Sequence, residues 1–494
     1  MTIEDLKKKN IHVLGVSGAE GSAVLEFLAD NGVKNITAHD FCDQDKFKES
    51  FFSFHDKMTK KEKEETYNEI IRLRQGSGGQ GKVKFNYKDT YLDQIEKADL
   101  IFVPQSWFRY AQNDLLNQHK GKIEFSNITK LYFQFCKGKI IAITGTSGKS
   151  TTSALVNDIM KRGYKLGKVY FTGNDRENVQ ILKNIFEIKE NDILVVEVSN
   201  RQLMIDLKKS PYIGIITNIS PNHMDDHKTF TDYITTKRSL IRYQKKGDFA
   251  ILNFDNDITK DIGLDIDSTV YYFSRKGRVD RGAYVKFNEI IIQDFERERK
   301  ICSVLDLKIP GPHNIENALA ASLAGYLMKI NTKDIREALL NFKGIKSRLE
   351  LVREVDGVSY IEDSSACNPD GTAVAVSSFK KPMILIAGGS RKKPYPGEFD
   401  RMADSIINSK VKIVFLIGER AETIKLALKN SSIRFQKTSP IIKISENLED
   451  AVISANKSAK RGDIVILSPG CESFGLFIDY RDRARQFKKL VKSL

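Results

Sequence analysis

The run Ile140-Ile141-Ala142-Ile143-Thr144-Gly145-Thr146-Ser147-Gly148-Lys149-Ser150-Thr151-Thr152 constrains this chain more than any other stretch. Ile140 to Ile143 read as the end of a buried parallel strand. The glycines read as a tight turn, and Ser153 to Lys161 carry apolar residues at helical spacing. A strand, a glycine turn and a helix N-terminus make a phosphate cradle: the turn N–H groups point inward, the helix dipole favours anions, and Lys149 adds a full positive charge. Ser150 or Thr151 offers a hydroxyl to Mg²⁺. The longer phosphate-loop pattern wants a further glycine where Ile143 stands, so this is the shorter form. A second stretch, Gly76-Ser77-Gly78-Gly79-Gln80-Gly81-Lys82, has the longer spacing, but Val83 follows where Ser or Thr should stand. No apolar strand precedes it, so Gln75 to Lys82 read as a flexible linker.

A length of 494 residues suggests about three domains. No apolar run approaches the roughly 18 residues of a membrane span, and the charged Met1 to Asn10 does not read as a signal peptide. The five cysteines are scattered without metal-like pairing and read as reduced thiols. The net charge of +15 raises nucleic acid as a partner. The lysines are interleaved with acids, as in Lys60 to Glu65, rather than massed with aromatics, so they read as a solvated surface.

Three strand-and-loop series follow along the chain. In the first, Ile11 to Leu14 lead into Gly15, Gly18 and Gly21, and a second strand ends at His39-Asp40. An acid at that place commonly meets a ribose or base, which predicts a Rossmann-like domain; a packing role for the glycines remains open. Residues 43–82 break the pattern and read as an insertion. In the second series, Asp192 to Val198 form an apolar strand carrying Glu197. Ile213 to Thr217 form another, closed by Asn218 to His227. Glu197 and His223 lie where parallel sheets bind ligands and suit Mg²⁺, while His227 reads as surface. Lys237 sits on a helix, where lysines are normally solvated. Asn314 and Asn317 are one helical turn apart, either for paired amide contacts or as ordinary caps. In the third series, strands near 358, 383, 412 and 463 each end in loops rich in Ser, Lys and Gly. The predicted fold is α/β with three domains: Rossmann-like (1–137), a central parallel phosphate-loop sheet (138–343), and a doubly wound C-terminal domain (344–494).

The motif set resembles the Mur ligase family, over nearly the whole chain outside the insertion. It comprises the phosphate loop, the Glu197 strand, Asn222-His223-Met224-Asp225, Lys237, His313 to Asn317, Ser347-Arg348-Leu349-Glu350, and Leu467 to Phe474 with Arg483 downstream. The last of these is similar to the D-glutamate-adding branch. The resemblance implies a cytoplasmic, monomeric, ATP- and Mg²⁺-dependent amide ligase of cell-wall precursor synthesis, with no nucleic-acid or membrane partner. Its substrates would be UDP-N-acetylmuramoyl-L-alanine and D-glutamate, joined through an acyl phosphate. Catalysis would fall to Lys149, His223 and Lys237, and metal binding to Ser150, Glu197, His223 and a carbamylated Lys237. ATP would meet Gly145, Thr146, Ser147, Gly148, Lys149, Ser150, Thr151, Asn314, Asn317, Arg348 and Asp363. Gly18, Ser22, Asp40 and Asn174 would face the UDP substrate, and Lys392, Ser473 and Tyr480 the amino acid. The chain departs from the family where Asp363-Ser364-Ser365-Ala366-Cys367-Asn368 replaces Asp-Ser-Lys-Ala-Thr-Asn, and where Ser199 to Gln202 follow Glu197. A sister ligase for another amino acid and a nucleotide-binding regulator are the alternatives.

Overall fold

The computed structural model describes residues 1–55, 58–76, 83–173, 180–221, 226–390, 397–473 and 475–494. The chain divides into two compact units: residues 1–305 with 316–339, and residues 306–315 with 340–494.

The first unit holds two sheets. Strands β1 (Ile11–Leu14), β2 (Ile36–His39), β3 (Lys84–Asn86), β4 (Leu100–Phe102) and β5 (Glu124–Ser126) form a parallel sheet in the order β3-β2-β1-β4-β5. The order reverses between β1 and β4, so the turn after β1, Asp40 after β2 and Pro104 after β4 share the carboxyl edge at the switch point. Gly15 there has φ +67°, and a side chain at Gly21 would strike the Gly15 carbonyl. These glycines serve the tight turn and close helix–strand packing at once.

The insertion is core, not a surface appendage. Helices Phe47–Phe54 and Lys60–Gln75 bury Phe47, Phe51, Ile70 and Leu73 in the same apolar cluster as Ile11, Val13 and Ile36. Phe47 and Phe51 are spaced i, i+4 and Ile70 and Leu73 i, i+3, so each helix turns one stripe inward. Gly76 closes the second helix in the left-handed conformation (φ +72°), which is a C-cap and not the opening of a phosphate turn. The remainder of that glycine-rich stretch, 77–82, lies outside the described residues.

The second sheet runs β14-β13-β12-β11-β10-β9-β6-β8-β7. Its strands are β6 (Lys139–Thr144), β7 (Val169–Gly173), β8 (Ile193–Glu197), β9 (Ile213–Ile216), β10 (Phe249–Asn253), β11 (Thr269–Ser274), β12 (Arg281–Lys286), β13 (Glu289–Asp294) and β14 (Arg297–Ser303). The expected parallel sheet holds from β7 to β12, but β12, β13 and β14 pair antiparallel. The cause is local: Phe287 and Asn288 adopt positive φ (49° and 62°), which closes a two-residue hairpin between β12 and β13.

The second unit holds β15 (Glu350–Val355), β16 (Val358–Glu362), β17 (Met383–Gly388), β18 (Val411–Ile417), β19 (Ile441–Ile444) and β20 (Ile464–Leu467), in the order β15-β16-β20-β17-β18-β19. Only β15 departs from the doubly wound parallel pattern; it pairs antiparallel with β16 through Asp356-Gly357, both at positive φ. Among the described residues no helix is long and apolar enough to cross a membrane.

Two histidines are buried side by side in the first sheet. His12 Nδ1 and His39 Nε2 lie 2.8 Å apart, and His39 Nδ1 accepts the Leu92 N–H at 3.2 Å. Burial pushes the pKa of His12 down to about 4 and that of His39 to about 3. The unfolded chain therefore takes up these protons first, near pH 6.5. Stability is expected to be full above pH 6.5 and to fall as the pH drops from 6.5 towards 4; equal urea midpoints at pH 7 and pH 5 would contradict this.

Candidate functional site

The turn after β6 is built by sterics and gripped by its neighbour. Gly145 (φ +152°) and Gly148 (φ +84°) both adopt conformations that L side chains rarely take. A side chain at 145 would strike the Thr217 hydroxyl, and one at 148 the Asn317 amide. Thr217 and Asn218, directly after β9, hold the turn. Thr217 Oγ1 donates to the Ser147 carbonyl at 2.5 Å, and Asn218 Nδ2 donates to the same oxygen at 3.1 Å. Asn218 also accepts the Thr146 N–H on its carbonyl (2.8 Å) and the Ser147 N–H on Oδ1 (3.0 Å).

Lys149 opens helix Lys149–Gly163 and folds back over the turn, donating to the carbonyls of Gly145 (3.1 Å) and Thr146 (3.2 Å). Lys237 overturns the expectation of a solvated lysine. It is 1% exposed, donates to the same Gly145 carbonyl at 2.8 Å, and lies 4.8 Å from the centre of the Tyr233 ring. Burial, aided by the charge of Lys149, holds its pKa well below the usual lysine value. The neutral amine is thereby favoured.

Ser150 is buried in the first turn of the same helix, and Thr151 beside it is half-buried. Glu197 is buried at the end of β8, in register with Ile143 of β6. Asn317 Oδ1 accepts the Thr152 hydroxyl at 3.1 Å, which ties helix Pro312–Leu327 to the loop's helix. Asn314 donates to the Pro310 carbonyl at 2.6 Å. His223, Asn174 and Lys392 lie outside the described residues.

The short turn after Glu197 explains a departure from the family pattern and carries residues that periodicity and motif reading both missed. Ser199 and Gln202 form a reciprocal capping box over helix Asn200–Leu203. Each polar residue then reaches a different segment. Ser199 Oγ donates to Gln105 Oε1 at 3.2 Å, and Asn200 Nδ2 lies 3.1 Å from His227 Nε2. Arg201 Nε donates to Asp226 at 2.7 Å, and Gln202 Nε2 to Glu20 at 3.0 Å. Glu20 also accepts the Gln105 N–H at 2.8 Å, and burial raises its pKa. His227, expected at the surface, is buried against the edge of Tyr233. The only advance signal was the run of four consecutive polar residues, which no solvated loop requires.

At the first sheet, Asp40 accepts the Ser17 N–H at 2.7 Å and the Cys42 N–H at 3.2 Å. Gly18 caps helix Ala19–Asp30 and donates its N–H to the Gly15 carbonyl at 2.9 Å. Ser22, in the first turns of that helix, is buried.

In the second unit, Asp363 follows β16 and accepts from Ser468 Oγ (2.7 Å) and the Leu349 N–H (3.2 Å). Burial pushes its pKa up to about 7. Ser347 and Leu349, flanking the exposed Arg348, both have positive φ (60° and 46°). Backbone strain at non-glycine residues on either side of one arginine marks a shaped loop. Arg483 is fully buried and donates to the carbonyls of Ser364 (2.9 Å) and Cys471 (3.2 Å), and to Cys367 Sγ at 3.5 Å. Cys367 donates to the Ser364 carbonyl at 3.3 Å, as a threonine hydroxyl would. Ser473 is buried, and Tyr480 is the first residue of the final helix behind the Asp479 cap.

A phosphate-type loop on a mainly parallel sheet, with a Rossmann-like sheet before it and a doubly wound sheet after it, defines a multidomain α/β enzyme scaffold. Residues 143–325 match the Mur ligase middle domain and residues 347–471 the Mur ligase glutamate ligase domain. The chain belongs to the Mur ligase family. It is 35% identical over 492 residues to the UDP-N-acetylmuramoylalanine–D-glutamate ligase of Acetivibrio thermocellus, covering 99% of this chain and 97% of that protein. It is 33% identical to the protein of the same name from Thermoanaerobacter sp. strain X514, covering 99% of each. Among solved structures, a pseudomurein peptide ligase type C from Methanothermus fervidus shares the fold at TM-score 0.57 and 19% identity, covering 98% of this chain and 99% of that one. The MurF ligase of Thermotoga maritima in complex with ADP does so at TM-score 0.54 and 17% identity, covering 88% and 94%.

The Asp226 side chain is 2% exposed and joins Arg201 to Arg109, whose side chains are 18% and 39% exposed. Asp226→Ala would leave Arg201 facing a desolvated gap, at an expected cost of about 3 kcal/mol. Arg109→Ala, at the wet end, should cost under about 1 kcal/mol. Urea unfolding of the two variants tests the contrast.

Proposed function

We propose that this chain is the ATP-dependent ligase that joins D-glutamate to UDP-N-acetylmuramoyl-L-alanine in peptidoglycan precursor synthesis, acting in the cytoplasm. The observation that carries the reading is the cradle at Gly145 to Ser150, with Lys149 over it, Glu197 beside it and Lys237 beneath it. Full-length likeness to enzymes of that name supports the choice of substrates. Residues 1–137 would take the UDP substrate through Gly18, Ser22 and Asp40, and residues 138–343 would add Asn174 to that site and take the nucleotide. Residues 344–494 would take the amino acid through Lys392, Ser473 and Tyr480. Asn314, Asn317, Arg348 and Asp363 would complete the ATP contacts.

Two partial reactions follow from the chemistry. The substrate carboxylate attacks the γ-phosphorus of ATP, the bond to the β-phosphate oxygen breaks, and ADP leaves. The amine of D-glutamate then attacks the acyl carbon; phosphate departs with the bonding electrons, and the amine's proton passes to solvent or phosphate. Lys149 stabilises the charge spread over the transferred phosphoryl group, and the turn N–H groups fix its position. The Ser150 hydroxyl, in the first turn of helix Lys149–Gly163, and the Glu197 carboxylate, at the end of β8, are buried hard oxygen donors that fit Mg²⁺. His223 would join them. Mg²⁺, when bound, supplies positive charge that neutralises the phosphate oxygens.

Lys237 fits the same set as a carbamate. Its depressed pKa favours the neutral amine that adds to carbon dioxide, and the product is an anionic oxygen ligand. Intact-mass and carbon-13 spectra in bicarbonate are expected to show one added carbon dioxide, absent in Lys237→Arg. A wild-type spectrum without it would remove this role.

The deciding experiment measures phosphate release with ATP, Mg²⁺, UDP-N-acetylmuramoyl-L-alanine and a panel of D- and L-amino acids. Release should require D-glutamate, and Lys149→Ala should lower turnover by at least about a thousandfold. A second reading, a sister ligase for another amino acid, is favoured by Ser365 and Cys367 standing where the family has lysine and threonine. Release with a different amino acid alone would select it. No release with any would leave a nucleotide-binding regulator.

A further inference from the structure

The insertion reaches the turn that the functional reading assigns to the UDP substrate. Ser50, on helix Phe47–Phe54, donates its hydroxyl to Ser17 Oγ at 3.0 Å. His55, which caps that helix, places Nε2 at 3.0 Å from Ser22 Oγ and Nδ1 at 2.7 Å from the Phe51 carbonyl. A carbonyl can only accept, so Nδ1 carries the hydrogen, and in the neutral ring Nε2 presents a lone pair. The single Ser22 proton has two acceptors within the protein, the Ala19 carbonyl at 3.3 Å and, with the ring neutral, His55 Nε2 at 3.0 Å, so it is spent inward in either case. Ser17 is the reverse case: its oxygen already accepts from Ser50, which leaves its own proton to be donated.

The framework behind these contacts is closely packed. The His55 ring stacks on Phe51 at 3.8 Å, and both residues are buried with Phe47 against the first sheet. From the other side, the Gly15 and Val16 N–H groups donate to the His39 carbonyl and the Ser17 N–H to Asp40. The turn is therefore held by the sheet through its backbone and by the insertion through its hydroxyls.

We propose that Ser50 and His55 are positioning residues for substrate: by fixing the Ser17 and Ser22 hydroxyls they set how tightly the glycine turn takes the diphosphate end of a UDP-linked molecule. Ser17 is then the hydroxyl donor to the anion, and Ser22, committed inward, is not. This rests on the reading of the first sheet as the UDP-substrate domain.

The test is calorimetric titration of the full chain, without ATP, with UDP-N-acetylmuramoyl-L-alanine and separately with UDP. Ser50→Ala should raise Kd about threefold and His55→Phe about tenfold for both ligands, the loss of one oriented hydrogen bond each. His55→Gln, which restores an acceptor near the Nε2 position, should return within about twofold of the wild type. In the full reaction KM for the UDP substrate should rise in parallel, with KM for ATP and the amino acid unchanged. Unaltered Kd values, a rise in all three KM values together, or a His55→Gln no better than His55→Phe would overturn the inference. A shift confined to the whole substrate and absent with UDP would overturn its placement at the diphosphate. If His55→Phe does not fold, Ser50→Ala decides. A wild-type chain that binds neither ligand would reject the functional reading itself, and this inference with it.

Discussion

The carbonyl oxygen of Gly145 accepts hydrogen bonds from Lys149 and from Lys237, and the turn that presents it is held by the residues after β9. Two ammonium groups on one oxygen repel each other, and the burial of Lys237 adds a desolvation cost. The arrangement relaxes when the inner lysine is neutral and the outer one has an anion to face. Thr217 and Asn218 prevent the alternative relaxation, in which the turn would swing away, because four hydrogen bonds hold Thr146 and Ser147 to the end of β9.

The same logic extends outward. Glu197 ends the strand on the other side of β6, and the residues after it, Ser199 to Gln202, spend their side chains on Gln105, His227, Asp226 and Glu20. Gln105 lies in the loop after β4, and Glu20 in the first turn of helix Ala19–Asp30 that follows β1. The acid beside the phosphate loop and the glycine turn after β1 are therefore separated by a short chain of hydrogen bonds rather than by a soft linker.

Much of this was legible in the residues. The phosphate loop, the Glu197 strand and the glycines at 15, 18 and 21 announce themselves because each is a local steric demand written in adjacent positions. The insertion did not, since its meaning lies in contacts from Ser50 and His55 to residues far away in sequence. Lys237 and His227 were misjudged from spacing for the same reason: burial is a property of the packed molecule, not of helix position. The antiparallel additions were missed differently. Asp356-Gly357 is an ordinary two-residue hairpin signal, but β15 beside it alternates weakly, with Leu351 exposed, and so lacks the apolar run that marked its neighbours.

The turn at Asn200–Leu203 limits which single substitutions it can absorb. Asn200 is matched to His227, Arg201 to Asp226 and Gln202 to Glu20, each pair drawing on a different part of the chain. Exchanging one member strands the other's polar group in the interior, so a single substitution here costs more than a matched pair of changes. The positions just after Glu197 are thus constrained as pairs, each tied to a different segment of the chain.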